Sequence, residues 1–397
     1  MTRLMLCCCA AVLPLAALAA RERAVPVTIT GHVVKPEKLA VDDKRFKLSV
    51  PSGFEVSKFA EGLGKPRVLA VADDGTVYVT RRDAGDVLML RDADGDGKAE
   101  PPVTVARRPQ MHGIAIDGPR VYLVTVKELF VANRNDDGTL GPLRRLIDDL
   151  PDAGQHADRT IVVGPDGMLY LSVGSTCNAC DESNPENATM LRVKPDGTSR
   201  TVFASGLRNT IGFAFHPTTM ELFGFDHGID WLGDDEQGEE LNHIVKGRQY
   251  GWPYIYARNQ KNPQDEPPGG ITMDQWAKMS DAPVLLHTAH AAPMQFAFIT
   301  SPRFPAAYRG SALVAMHGSW NRLPPSGYEV VRVTFDAGNP TAIEPFMSGF
   351  LVSIGANRWG YGGRPFGLAM TPDGAVLVGD DANGVIYRIV YRQKVAS

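Results

Sequence analysis

Cysteine is scarce in this chain. Three of its five cysteines, Cys7, Cys8 and Cys9, crowd the first ten residues, which leaves Cys177 and Cys180 for everything after. Two residues cannot build a disulfide framework or a four-cysteine zinc cluster. Long apolar runs are also missing after the start, so no later segment reads as a transmembrane helix. There is no complete Gly-x-Gly-x-x-Gly after a strand and no Walker loop, which argues against nucleotide binding on a Rossmann or P-loop domain. A Gly-x-Ser-x-Gly nucleophile elbow is absent, and the histidines show no His-Glu-x-x-His spacing. Basic charge has no excess either: 41 Lys and Arg face 45 Asp and Glu, for a net charge of −4. That balance speaks against nucleic acid and against an anionic membrane as partners.

What is present begins with a leader. MTRLMLCCCAAVLPLAALAA carries Arg3, an apolar run and then Ala17, Ala19 and Ala20. This is the layout of a signal peptide over residues 1–20, and it predicts a periplasmic or secreted protein without stable membrane insertion. In an oxidising compartment, Cys177 and Cys180 then read as one local disulfide. A redox pair or a metal site would want a βαβ context or further ligands nearby.

Glycine and proline are plentiful, 40 and 29, in a chain that is 44% hydrophobic. Many turns around a substantial core point to β structure. One local pattern keeps returning: an apolar run, a polar turn that is usually Asp-Gly, and a second apolar run. It appears at 67–80 (RVLAVADDGTVYVT), 113–125, 160–174 (TIVVGPDGMLYLSVG), 211–225 and 366–380 (FGLAMTPDGAVLVGD). A weaker copy, FPAAYRGSALVAMHG, spans 304–318 with its turn near Ala306–Arg309. Alternation at strand period around such turns is a hairpin signature. Six such units predict an all-β protein, a six-bladed β-propeller over 51–397 preceded by an extension at 21–50 with a strand of its own. A single barrel or two sandwiches are the alternatives.

Several clusters are candidates for chemistry. Asp92, Asp94 and Asp96 with Gly97 alternate carboxylates as a calcium loop does, but the twelfth position is Val103, so the loop is not a full EF-hand. It is either a calcium site or a solvated turn. Asp230, Asp234, Asp235, Glu236, Glu239 and Glu240 crowd one stretch and want a cation or water around them. His287 and His290 form a loose pair suited to lining a pocket. His156 stands just before the first strand of its unit, where propeller loops open onto the axis. Arg208-Asn209 and Arg364 hold the matching points of other units. A base and guanidinium groups converging on one cavity are equipped to take a proton and to hold an anionic cofactor.

The ordered set QHADRTIVVGPDGMLYLSVG, SGLRNTIGFAF, EELNHIVKGRQYGWP and GRPFGLAMTPDGAVLVGDDANGVIYRI resembles the glucose/sorbosone dehydrogenases. These are soluble aldose sugar dehydrogenase-like quinoproteins on a six-bladed propeller. STCNAC and HGSWNR resemble the sorbosone-type branch. The resemblance implies oxidation of a sugar or sugar aldehyde with pyrroloquinoline quinone (PQQ) and calcium, and a cytochrome or quinone as electron acceptor. It makes His156 the general base and Arg208 the stabiliser of negative charge. Gln155, Arg208, Asn209 and Arg364 would surround the cofactor. Asn321 or Arg322 would stand where a lysine is expected. Gly228 and Ile229 would offer carbonyls to the catalytic calcium, and Glu239 and Glu240 match a second calcium region. Ser175 replaces an acid beside the base. Gly362 replaces an arginine, for which Arg358 is the compensating candidate. Two other classes compete with this reading: a calcium-dependent propeller lactonase, and a non-catalytic propeller that binds sugars or proteins.

Overall fold

The computed structural model describes residues 30–40, 42–152 and 154–392. The expected leader and the start of the extension lie outside the described residues. The fold is nearly all β. The Asp-Gly turns predicted from the repeats are hairpin turns: Gly164 N donates to Met168 O at 2.7 Å, and Thr371 N donates to Ala375 O at 2.9 Å in the last unit. Each hairpin gains two more strands, which gives six four-stranded sheets.

The first strands of these sheets are Leu69–Val71, Gly113–Asp117, Ile161–Val163, Gly212–Phe215, Pro293–Phe298 and Pro365–Met370. They are the inner strands: the first packs on the second, the second on the third, the fourth on the fifth, the fifth on the sixth and the sixth on the first, while the third and fourth line a common cavity. Gly212 shows how close they come: a Cβ there would lie 1.8 Å from Met294 O on the next inner strand. At the axis, the Gln295 side chain accepts from Leu69 N and from Leu368 N, both at 2.9 Å, and donates to Leu69 O at 2.7 Å. One amide thus ties three sheets.

Second strands such as Leu169–Val173 and Val376–Asp380 are buried along their whole length, and the others nearly so. Being covered on both faces, they read as continuous apolar runs. The core therefore lies in layers between sheets. One layer joins Phe223, Phe225 and Leu241 of the fourth sheet to Val314 and Val331 of the fifth. The sixth sheet is completed from the other end of the chain: Phe54–Ala60 pairs antiparallel with Val385–Tyr391.

One expected unit is displaced. The fifth hairpin is Pro293–Phe298 with Ala312–Met316. The segment 304–318 begins inside its connection, which holds a short 3-10 turn at Ala306–Tyr308. The inner strand had no Asp-Gly turn to mark it. In the extension, Glu37–Lys38 pairs in parallel with Arg358–Tyr361. Between 244 and 284 an insertion adds a small hairpin and the helix Met273–Met279, capped by Thr272. No helix among the described residues is long and apolar enough to cross a membrane.

Candidate functional site

Loops leading into the third, fourth and fifth sheets meet residues 227–230 and 318–321 around a cavity of about 220 Å³. His156, Arg208, Asn209, His227, Gly228, Asp230, Glu239, His290, Trp320 and Asn321 line it, with Gln155 at its rim. Gly174 permits the approach, since a Cβ there would fall 2.6 Å from His156 Cβ and 3.0 Å from Asn209 Oδ1.

The His156 ring is held through Nδ1, which lies 3.0 Å from Ser175 O and 2.8 Å from Ser175 Oγ. A carbonyl oxygen only accepts, so Nδ1 carries the proton. The Ser175 hydroxyl in turn donates to Cys177 O at 2.8 Å. Nε2 is left as the unprotonated nitrogen, with no hydrogen-bond partner among the described residues. Burial, then the Arg208 charge, pull the imidazole down to about 2, so it is neutral at ordinary pH. The serine that replaces the expected acid therefore still sets the ring's tautomer. It does so without adding charge.

Arg208 is 3% exposed. Its Nε donates to Asn178 O at 2.9 Å, and one Nη donates to Asn178 Oδ1 at 2.8 Å and to Asp230 Oδ2 at 3.1 Å. The other Nη has no protein partner among the described residues. The loop beneath is clamped by Asp226, which accepts from Arg208 N and Asn209 N, both at 2.7 Å, and from Thr210 Oγ1 at 2.8 Å. Burial pushes the Asp226 carboxyl up to about 6 against these bonds.

Cys177 and Cys180 form the expected disulfide. Its loop carries Asn178, whose side chain also accepts from Asp230 N at 2.9 Å and donates to Gln264 Oε1 at 3.0 Å. Trp252 Nε1 donates to Asn178 O at 3.2 Å. Asn321 Nδ2 donates to Asp230 Oδ1 at 2.8 Å. Asn178 and Asp230 are thus the posts that aim Arg208. Sequence reasoning had no role for Asn178 and saw Asp230 only as one acid in a crowd.

Two further imidazoles line the cavity. His227 Nε2 donates to Pro293 O at 2.5 Å, and burial pulls this ring down to about 4. His290 Nε2 donates to Gly233 O at 2.9 Å. Of the loose pair, His290 reaches the cavity and His287 does not.

Glu239 accepts from Gly228 N at 3.0 Å and Ala292 N at 2.8 Å. Burial pushes its carboxyl up to about 8. Glu240, one residue on, faces the other side of the strand, as the pleat requires. There it accepts from Gln237 Nε2 at 2.8 Å and Ala257 N at 2.6 Å, and burial raises it to about 7. Ile229 is buried, its N–H donating to Gln237 Oε1 at 2.9 Å.

Arg364 lies on an adjoining cleft of about 530 Å³. Its Nε donates to His317 O at 3.1 Å and an Nη to Gly318 O at 3.0 Å; Gly318 also lines the cavity. Arg322 is not brought in: it turns to Asp235 at 2.8 Å. Arg358 pairs with Glu37 at 2.7 Å. Asp92, Asp94 and Asp96 bring their carboxylates within 4.8 Å of one another, in a separate groove between the first and sixth sheets. Asp92 Oδ2 accepts from Gly97 N at 2.9 Å, and Oδ1 is buried without a partner among the described residues.

The pyrroloquinoline quinone-dependent pyranose dehydrogenase of Coprinopsis cinerea is 24% identical over 407 aligned positions, covering 87% of this chain and 55% of that protein. The chain thus spans about half the length of that relative. The holo form of the pyranose dehydrogenase PQQ domain from the same fungus superposes with a TM-score of 0.73 at 20% identity, covering 90% of this chain and all of that one. The calcium structure of a Trichoderma reesei carbohydrate-active enzyme of family AA12 also gives 0.73, at 22% identity, over 87% of this chain and 97% of that one. At such identity these likenesses show a common fold. The TrAA12-like family description matches residues 48–392, and the chain belongs to that family.

Proposed function

We propose that the protein is an exported, PQQ- and calcium-dependent oxidoreductase that oxidises a sugar or a sugar aldehyde, such as an aldose or sorbosone. The six four-stranded sheets are its propeller blades, and a cytochrome or a quinone takes its electrons. The observation that carries the reading is His156: a neutral imidazole with its tautomer fixed and Nε2 free, sharing a cavity with a buried arginine.

The residues present fit the two cofactors. Arg208 and Arg364 supply guanidinium groups, and Asn209 an amide, for the quinone's carboxylates and carbonyls. For calcium, the carbonyls of Gly228 and Ile229 accept no hydrogen bond among the described residues, and the desolvated Glu239 lies against Gly228 N. When bound, the quinone supplies a hydride acceptor, and calcium polarises it as a Lewis acid. The pyranose dehydrogenase relative named above supports the quinone.

In this reading His156 Nε2 accepts the hydroxyl proton of the sugar's reacting carbon as that carbon loses its hydride. Ser175 O and Oγ hold the imidazolium proton at Nδ1 during the step. The unpartnered Nη of Arg208 donates toward the oxygen on which negative charge grows. Because Arg208 is fixed beforehand by Asn178 and Asp230, little reorganisation is needed.

Reconstitution tests the proposal. Purified protein loaded with calcium and pyrroloquinoline quinone should reduce an artificial dye in the presence of one of a panel of aldoses and sorbosone. His156→Ala should lower kcat by at least about 10²-fold, the scale of losing a general base. No quinone binding and no dye reduction with any sugar would overturn it.

A further inference from the structure

The N-terminal extension packs beside the strand that leads to Arg364. Glu37–Lys38 lies beside Gly360–Tyr361, Leu39 N donates to Tyr361 O at 2.8 Å, and the buried Leu39 side chain packs on Gly360. That placement sets Lys38 on the same cleft as Arg364, with Lys65, Arg67 and Arg82 also on its walls.

Most of these cations already have carboxylate partners. Lys65 meets Asp83 at 2.7 Å, Arg67 lies between Asp158 at 2.7 Å and Asp381 at 2.8 Å, and Arg82 meets Asp158 at 3.1 Å. Lys38 and Arg364 differ. Lys38 Nζ donates to Ala382 O at 2.5 Å. Arg364 donates to two carbonyls and stands over the Tyr328 and Tyr361 rings, 5.4 and 6.0 Å from their centroids. Neither has a carboxylate partner among the described residues. The residues that sequence reasoning offered as replacement cations, Arg322 and Arg358, are turned to Asp235 and Glu37 instead.

We propose that Lys38 and Arg364 together form a carboxylate-binding pair, holding one end of a ligand whose reacting end lies beside His156. The inference rests on the dehydrogenase reading for what occupies the cavity. The carboxylate belongs either to the quinone or to an acidic sugar. An ammonium on a flexible stem and a planar guanidinium are both suited to it. In this role the extension completes the site.

Lys38 is exposed and touches a single carbonyl, so its variants should fold. Lys38→Ala, Lys38→Glu and, as a control from the same segment, Lys35→Ala are titrated with pyrroloquinoline quinone by fluorescence. KM is measured in parallel for glucuronate and glucose. A rise in quinone Kd of about fivefold for Lys38→Ala, larger for Lys38→Glu and absent for Lys35→Ala, supports the pair with the cofactor as its ligand. An unchanged quinone Kd with a selective rise in KM for glucuronate supports it with an acidic sugar. If neither quantity moves, the proposal is overturned. If the wild type binds no quinone and oxidises no sugar, the functional reading falls, and citrate replaces the quinone as probe. Citrate binding that Lys38→Glu abolishes then keeps the pair, and citrate binding indifferent to it removes the pair.

Discussion

Asn178→Ala probes how the site is held together. The substitution leaves the backbone carbonyl that takes Arg208 Nε and Trp252 Nε1 in place. It deletes the side-chain oxygen that accepts from Arg208 at 2.8 Å and from Asp230 N at 2.9 Å. The first bond is charge-assisted and the second neutral, so these two alone should cost about 2–4 kcal/mol of stability, to which the lost Nδ2 donations to Asp230 O at 3.2 Å and Gln264 Oε1 at 3.0 Å add. Arg208 keeps Asp230 as its one side-chain partner, at 3.1 Å, and its free Nη loses its fixed direction. A donor misplaced in a desolvated site should lower kcat by about 10–100-fold. The assay is dye-coupled kcat at saturating quinone, with quinone Kd and urea unfolding measured on the same preparations. Gln264→Ala removes a more distant partner of Asn178 and should change kcat little. If Asn178→Ala loses the expected stability yet keeps kcat within about twofold, Asp230 alone aims the guanidinium and the argument fails.

Two further outcomes follow from the same geometry. Because burial and Arg208 hold His156 down to about 2 against an ordinary 6.5, it stays neutral through mildly acidic pH, and kcat/KM should lack an acid limb near 6.5; a limb there that disappears in His156→Ala would refute this. The sign for stability is that the unfolded chain takes up this proton first, so the histidine's contribution is full above about 6.5 and declines as pH falls toward 2. Gly212→Ala would set a Cβ 1.8 Å from Met294 O between two inner strands, and thermal unfolding should show one of the larger single-residue losses, above about 3 kcal/mol; an unchanged Tm would mean the inner strands part easily.

The sheets were legible because a buried strand and its turn leave a local mark. In 160–174, the apolar run of Thr160–Val163, the Asp-Gly and the run at Leu169–Val173 all fall within one hairpin. The fifth hairpin left no such mark, since its two strands are joined through residues 299–311 rather than a tight turn. His156 was legible by position, ahead of an inner strand. Asn178 was not, because its meaning depends on Arg208, 30 residues away, and on Asp230, 52 away. Glu239 and Glu240 looked like one acidic feature in the sequence. The pleat sends them to opposite faces, one to the cavity and one to Gln237 and Ala257. Lys38 carried no sequence signal at all, since only the parallel pairing of its strand with Gly360–Tyr361 brings it to Arg364's cleft.

The pairing of Phe54–Ala60 with Val385–Tyr391 also governs the order of events during synthesis. Among the strands of the six sheets, the one made first waits for the one made last. Until residue 391 has emerged, a growing chain carries two bare sheet edges, each with unpaired amides and carbonyls open to other chains. A protein cut short before its last strand keeps both edges and cannot retreat to a smaller closed ring. The circle stays unfinished until its two ends meet.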